Sequence, residues 1–415
     1  MKIIHTSDWH LGQSFFTKSR KAEHQAFLHW LLDHAEQQQV DAIVVAGDVF
    51  DTGTPPSYAR ELYNEFVVAC NRLGVTLVVL GGNHDSVSVL NESRQLLACL
   101  NTYVVASVAD EPEQQLLTLP CRDGSPGALL CAVPFVRPRD VLQSQAGDSG
   151  LAKRQALGEA IQQHYQQLHQ LAVAKRKELD CPLPIIATGH LSALGVSQSE
   201  SVRDIYIGTL DGFAADAFPA ADYIALGHIH RSQIVGKKPH IRYSGSPIPL
   251  SFDELGSSKQ VLLVQFDHGA LDSITPLEVP RFQPMALLKG NLSQIEQQLA
   301  DYPDTTDLTE TDPITWLSIE VALDDYLSDL QQRIQALCAD KAVDVVQLRR
   351  ARTARRQAME QQQKETLSEL TPFQVFARRL ELESFDDDTA RARKERLQQL
   401  FQQMLADVEA GETSA

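Results

Sequence analysis

The 415-residue sequence contains no apolar run approaching the roughly 18 residues that a membrane-crossing helix needs. It also opens at Met1-Lys2-Ile3-Ile4 without a charged-then-apolar leader. A cytoplasmic protein with no membrane contact is therefore expected. The six cysteines (Cys70, Cys99, Cys121, Cys131, Cys181, Cys338) include no C-x-x-C pair, and none stands beside a His or Asp cluster. Nothing suggests a thiolate zinc site, and reduced, structural thiols are predicted. No G-x-x-x-x-G-K-[ST] sequence occurs, so ATP binding through a P-loop is not expected. Positive charge is scarce: the formal net charge of −17 argues against a broad nucleic-acid surface, which Lys and Arg would have to supply. The average hides one basic run, Arg349, Arg350, Arg352, Arg355 and Arg356, which reads equally well as a solvated helix face or as a DNA or partner contact.

What is present suggests two or three domains in an α/β protein. Short β-branched apolar runs end in polar or Gly-containing loops at Ile3 to Ser7, Ala42 to Ala46, Thr76 to Leu80, Leu129 to Phe135, Ile185 to Thr188, Tyr223 to Leu226 and Val261 to Phe266. Helical patterns at Ala22 to Gln38 and Ser57 to Leu73 separate the first of them, and Gly147 to Leu179 reads as one long surface helix. Two packed, mixed β-sheets flanked by helices fit residues 1–280. Pro280 and Pro284 bracket a boundary. A small α+β unit over 285–348 follows, with strands near Met285, Trp316 and Val343 and helices from Ser293 and Tyr326. The remainder, 349–410, reads as a helical tail: Thr371-Pro372 starts a helix with Phe373, Phe376 and Leu380 on one stripe, and Leu397 to Val408 forms another. Such stripes need a cover, either the chain's own body or a partner's helices.

The chemistry lies where the strands end. Asp8 and His10 follow the first, Gly47-Asp48 the second and Gly82-Asn83-His84-Asp85 the third; Gly189-His190 and Gly227-His228-x-His230 follow two later ones. Open α/β sheets place ligands at strand ends. A lone His there is commonly structural, but five recurrences of one arrangement point to a shared site. Carboxylate, amide and imidazole donors without thiolate suit hard-to-borderline dications, Mn²⁺ first, with Mg²⁺, Fe²⁺ or Zn²⁺ also compatible. Two such ions would neutralise a phosphate and stabilise the entering and leaving oxygens of an in-line displacement. His5 alternates away from Asp8 and reads as a satisfied core residue; His24, His29 and His34 read as packing or surface residues of a helix.

The ordered set Asp8-x-His10, Gly47-Asp48-x-x-Asp51, Gly82-Asn83-His84-Asp85, Gly189-His190 and Gly227-His228-x-His230 resembles the calcineurin-like metallophosphoesterase superfamily. The blocks His5 to Gly12, Gly47 to Thr52, Arg203 to Gly208 and Gly245 to Glu254 resemble its bacterial DNA-nuclease branch over nearly the whole chain. The resemblance implies one metal held by Asp8, His10, Asp48 and His230, and a second held by Asp48, Asn83, His190 and His228, with Asp48 shared. It implies that His84 contacts the scissile phosphate or protonates the departing oxygen. Asp51 either orients and charges the His84 imidazole or serves its loop; Asp85 is expected to be structural. The family further implies Mn²⁺-dependent cleavage of DNA: 3′ to 5′ exonuclease action from double-strand ends, single-strand endonuclease action and hairpin opening, in recombination, replication and repair. It implies that 285–348 caps the site over DNA, and that the tail docks on a separate coiled-coil ATPase subunit, with a homodimer inside a heterotetramer. The chain itself adds only two basic loops able to hold phosphate or simply to be solvated, Thr17 to Lys21 and Arg137-Pro138-Arg139. A phosphatase or cyclic-nucleotide phosphodiesterase on the same scaffold remains open, as does a catalytically silent scaffold; all seven ligand positions carry competent residues, which speaks against the last.

Overall fold

A computed structural model describes residues 1–142, 150–202, 212–307, 309, 313–322, 329–351, 396–397 and 401. In chain order its elements begin with β1 (Lys2–Thr6), a small hairpin of β2 (Ser14–Phe15) and β3 (Lys18–Ser19), α1 (Lys21–Gln37), β4 (Ala42–Val45) and α2 (Ser57–Arg72). There follow β5 (Thr76–Leu80), α3 (Val87–Asn91), α4 (Arg94–Ala98), β6 (Thr102–Val105), β7 (Leu116–Pro120), β8 (Pro126–Cys131), α5 (Pro138–Val141) and α6 (Gly150–Leu179). The second half adds β9 (Ile185–His190), β10 (Tyr223–Gly227), β11 (Gln233–Val235), β12 (Lys238–Tyr243), β13 (Lys259–Asp267) and β14 (Ala270–Val279). Last come β15 (Met285–Gly290), α7 (Leu292–Leu299), β16 (Thr315–Val321), α8 (Leu330–Cys338) and β17 (Val343–Arg350). The chain divides into two compact units, Met1–Arg349 and Arg350–Ala415. Thr371-Pro372, Phe373, Phe376, Leu380, Leu400, Met404, Leu405 and Val408 of the tail, with Arg352, Arg355, Arg356 and the block Arg203 to Gly208, lie outside the described residues.

Two six-stranded mixed sheets form the body, one in the order β14-β13-β1-β4-β5-β6 and the other β11-β12-β10-β9-β8-β7. In the first, β1, β4, β5 and β6 run parallel while β13 and β14 run antiparallel at one edge. In the second, β12, β10, β9 and β8 run parallel between antiparallel edges. The central parallel strands β4, β5, β9 and β10 are buried on both faces, hence their apolar runs. One face of each sheet meets the other sheet: Ile3, Val44, Val78 and Val264 pack against Leu130, Ile186 and Ala225. The opposite face of the first sheet is covered by α1 and α2 through Phe27, Leu31, Leu62 and Phe66.

Helix α6 is less a surface helix than its composition suggests. Leu157, Ile161, Tyr165, Leu168 and Ala172 recur at helical spacing and are buried against the second sheet. Its Gln- and Lys-rich remainder gives it a polar average without exposing that stripe. Predicted strand Leu129 to Phe135 is also displaced: β8 spans Pro126–Cys131, and the still-buried residues after it leave the ladder to cross toward the first sheet, where the Phe135 amide donates to the Gly81 carbonyl at 2.8 Å.

Strands β15, β16 and β17 make a separate three-stranded sheet, whose apolar face is closed by α7 and α8 through Leu288, Ile295, Leu317, Ile319 and Ile334. This layer meets the body at the β2–β3 hairpin, where Phe15 stacks on Trp316 with centroids 5.8 Å apart and packs with Phe252 and Met285. Among the described residues no helix is long and apolar enough to cross a membrane, and all six cysteines are free thiols.

Candidate metal centre

Strands β1, β4 and β5 of one sheet and β9 and β10 of the other deliver their C-terminal ends to a common rim, and each bears one of the predicted clusters there. Four of the predicted ligands leave their strands through left-handed backbone: Asp8 at φ 54°, His10 at 48°, Asp48 at 52° and His228 at 93°. Such values are uncommon for residues with a Cβ, and they concentrate where surrounding structure holds side chains to a task. Glycine is required directly beneath them, since a Cβ at Gly82 would collide with the Asp48 carboxylate.

Three groups of donors converge on the rim: Asp8, His10 and His230; His10, Asp48 and His84; and Asp48, His190 and His228. Asp48 is central. Its Oδ2 lies 3.2 Å from His190 Nε2 and 3.7 Å from His10 Nε2, and its Oδ1 accepts the His84 amide at 2.9 Å. Asn83 joins the last group, its Oδ1 lying 2.9 Å from His190 Nε2 and 3.1 Å from His228 Nδ1. All seven predicted ligands are thus brought together, and Asp48 lies between the two halves.

The imidazoles are held from behind. His190 Nδ1 donates to the Ala46 carbonyl at 2.8 Å, so Nε2, facing Asp48, is the nitrogen whose lone pair is freed when the ring loses its second proton. His10 Nδ1 is 3.1 Å from Asp51 Oδ1, and His230 Nδ1 is 2.6 Å from Ser201 Oγ. His10 Nε2 and His228 Nε2 are buried without a hydrogen-bond partner. The unpaired His10 Nε2, 3.7 Å from Asp48 Oδ2, and the His190 and His228 nitrogens gathered on Asn83 Oδ1 fit a pair of dications, which such donors bind without thiolate.

Electrostatics point the same way. Burial opposes charge on His190, yet Asp48 overrides it and lifts the imidazole to about 9. Burial likewise opposes ionisation of Asp48, but the His190, His10 and His84 charges hold it well below the usual carboxylate range. His228 is pushed well below the ordinary histidine value by burial and by the His190 charge. A proton on His190 therefore does, in part, what a cation would do between Asp48 and its neighbours, and metal binding would displace it.

Asp51 stands between two imidazoles. Its carboxylate engages His10, while its backbone carbonyl accepts from His84 Nδ1 at 2.7 Å. The Asp51 main chain thus orients His84, and its side chain meets His10. The His84 ring stands edge-on to His10 with centroids 4.7 Å apart. Asp85 is structural, as expected: its buried carboxylate accepts the amides of Val49 (3.1 Å), Phe50 (2.9 Å) and Gly82 (2.8 Å). His5 is a core residue bonded to Tyr223 Oη at 2.9 Å and the Leu226 carbonyl at 3.1 Å, and His24 of α1 is also buried.

Of the basic loop Thr17 to Lys21, two of the three cations are engaged in the fold. Arg20 is buried, pairs with Glu23, and donates to Gln13 Oε1 and the Pro249 carbonyl, while Lys18 pairs with Asp344. Sequence reasoning missed Ser201, Glu254 and Lys259, which stand behind His230. The acidic end of the Ser251-Phe252-Asp253-Glu254 block was their only signal.

The family profile described as "Calcineurin-like phosphoesterase" matches residues 1–232, and that described as "Type 5 capsule protein repressor C-terminal domain" matches residues 281–384. The chain is 56% identical over 415 residues to the SbcD component of nuclease SbcCD from Escherichia coli (strain K12), covering 100% of both chains. It is 33% identical over 302 residues to the protein of that name from Rhodobacter capsulatus, covering 70% of this chain and 71% of the relative. The Bacillus subtilis protein of that name is 29% identical over 334 residues, covering 79% and 81%.

Proposed function

Because the chain belongs to the calcineurin-like phosphoesterase family, and within it to the SbcD family of nucleases, we propose that it cuts DNA at a two-metal centre as one subunit of a larger complex. It is a metal-dependent phosphodiester hydrolase. In this reading Asp8, His10, Asp48 and His230 hold one divalent ion, and Asp48, Asn83, His190 and His228 hold the other. The observation that carries it is the convergence of His190 Nε2 and His228 Nδ1 on Asn83 Oδ1 beside the Asp48 carboxylate, with Asp8, His10 and His230 gathered on the other side.

Two dications bound there, Mn²⁺ by preference, would supply positive charge to the phosphate and an activated water for in-line attack. The residues do the rest. Asp48 spans both halves and fixes their separation. Asp51, Ala46 and Ser201 occupy the Nδ1 atoms of His10, His190 and His230, so that Nε2 of each faces the centre. His84, with Nδ1 held by the Asp51 carbonyl, presents Nε2 as the proton donor to the departing sugar oxygen, a poor leaving group without one.

Residues 285–348 serve as the cap that steadies DNA over the rim, anchored beside the His10 loop by Phe15 on Trp316. Residues 349–410 bind the coiled-coil ATPase, SbcC in the relatives' complex, and two copies of each chain make a cytoplasmic heterotetramer. The substrates are duplex ends cut 3′ to 5′, single strands and hairpins. The test is to supply the purified chain, with and without the ATPase, with Mn²⁺ and with linear duplex DNA, hairpin DNA or a chromogenic phosphomonoester. Both DNA substrates should be cut, and His84→Gln should slow the cutting about 10²–10⁴-fold. Turnover of the phosphomonoester alone would transfer the reading to a phosphatase.

A further inference from the structure

His230 is gripped at two points by residues that no ligand pattern includes. Its Nδ1 lies 2.6 Å from Ser201 Oγ, and that hydroxyl donates to Glu254 Oε1 at 2.5 Å, so Nδ1–H gives its hydrogen bond to Ser201 and Nε2 is left with the lone pair. Glu254 Oε1 is also 3.4 Å from Nδ1 itself. Its other oxygen, Oε2, takes Lys259 Nζ at 2.6 Å, and the same ammonium donates to the His230 backbone carbonyl at 3.0 Å. One buried ion pair therefore holds both the ring and the main chain of His230.

The pair is built into the core. Glu254 is 0% exposed and Lys259 7%. Further donors surround the carboxylate: Ser199 Oγ at 2.8 Å and the Leu250 amide at 3.0 Å. Lys259 Nζ also donates to Ser246 Oγ at 2.7 Å. Burying two opposite charges is costly unless their geometry and remaining hydrogen bonds are satisfied, and replacing such a pair with apolar residues is often no loss. Stability alone is thus a weak reason to keep this pair. A ring nitrogen pinned through a carboxylate, behind an imidazole that faces a metal position, is an arrangement that fixes tautomer and orientation for binding.

We infer that Glu254, acting through Ser201 and backed by Lys259, is a positioning residue that sets His230 for the ion it shares with Asp8 and His10. The inference rests on the two-metal reading above. It differs from a purely structural role in being local to one ion and in acting only through His230.

The test titrates the full-length, metal-free chain with Mn²⁺, following stoichiometry by calorimetry and ion pairing by electron paramagnetic resonance. Wild type should take up two ions as a spin-coupled pair. Glu254→Gln and the milder Ser201→Ala should fill one position much as wild type does and require about 10–100-fold more Mn²⁺ for the other, with an uncoupled Mn²⁺ signal in between. In a His230→Gln background, Glu254→Gln should then cost less than about threefold more, because the residue it acts through is gone. Circular dichroism keeps Ser201→Ala decisive if Glu254→Gln does not fold. Binding of both ions at wild-type strength by the Ser201 and Glu254 variants overturns the positioning role. So does an undiminished further loss in the His230→Gln background. A wild-type chain that binds no pair of ions, or a His230→Gln chain that binds like wild type, overturns the two-metal reading and the positioning role with it.

Discussion

Asp85 ties the Asp48 loop to the Asn83 loop, and Asp85→Asn tests how much the centre depends on that tie. The change is nearly isosteric, but one carboxylate oxygen becomes an NH₂ group. Its best orientation keeps an oxygen on the Val49 and Gly82 amides, both of which bond Oδ2, and turns a donor toward the Phe50 amide, which bonds Oδ1. One buried N–H loses its acceptor, a cost of about 1–3 kcal/mol. An opposing effect comes from charge. Burial and then the nearby Asp48 raise the Asp85 carboxyl to about 6. In a metal-free chain its ionisation is therefore penalised, and the penalty is absent below the ordinary carboxylate range and complete above pH 6. From the ordinary value of 3.8 this amounts to about 3 kcal/mol at neutral pH, which the Asn variant escapes. The two effects nearly cancel, and the metal-free variant should unfold in urea within about 2 kcal/mol of wild type. Bound dications relieve the repulsion between the two carboxylates only in wild type, so the variant should bind Mn²⁺ about 10–100-fold more weakly. The assay is a set of urea midpoints with and without saturating Mn²⁺, beside a Mn²⁺ isotherm. Unchanged Mn²⁺ affinity, or a metal-free loss beyond about 4 kcal/mol, would refute the reasoning.

Other perturbations separate the remaining roles. His5 is kept neutral by burial, its pKa lowered from 6.5 to about 3, so an unfolded chain takes up a proton that the folded one refuses. Its stability contribution should be complete above pH 6.5 and fall by about 5 kcal/mol as pH drops to 3, a decline that urea midpoints should show to be shallower in His5→Phe. Asp51→Ala removes the carboxylate behind His10 but keeps the carbonyl that holds His84. Its cleavage rate should fall and be restored by raising Mn²⁺ about 10–100-fold, whereas a loss that excess Mn²⁺ does not repair would place its role at His84. His84→Gln should bind two Mn²⁺ normally in calorimetry while losing about 10²–10⁴-fold in rate, and weakened ion binding would make His84 a ligand instead.

The body of the fold was legible wherever burial on both faces left an uninterrupted apolar run. Thr76 to Leu80 was placed to the residue because Gly81 and Gly82 end it. The edge strands were not: β14 is mostly exposed or half-buried and includes Pro276, so its sequence carries no continuous apolar run, and β11 has only three residues. The candidate ligands were visible because each follows a strand end within a few residues. Their left-handed backbone was invisible, since Asp and His, though enriched at positive φ, adopt it only where the surrounding fold holds them there. Asp51 was ambiguous because local spacing cannot say which of two imidazoles a loop carboxylate will face. Glu254 and Lys259 reach His230 only through tertiary structure, across a strand register that no local pattern encodes.

The central claim, two ions sharing Asp48, is tested most directly by anomalous diffraction at the manganese edge from crystals grown with Mn²⁺. Two peaks about 3.5–4 Å apart are predicted, one among Asp8, His10, Asp48 and His230 and one among Asp48, Asn83, His190 and His228. A single peak, or a pair in which Asp48 does not touch both ions, would contradict it.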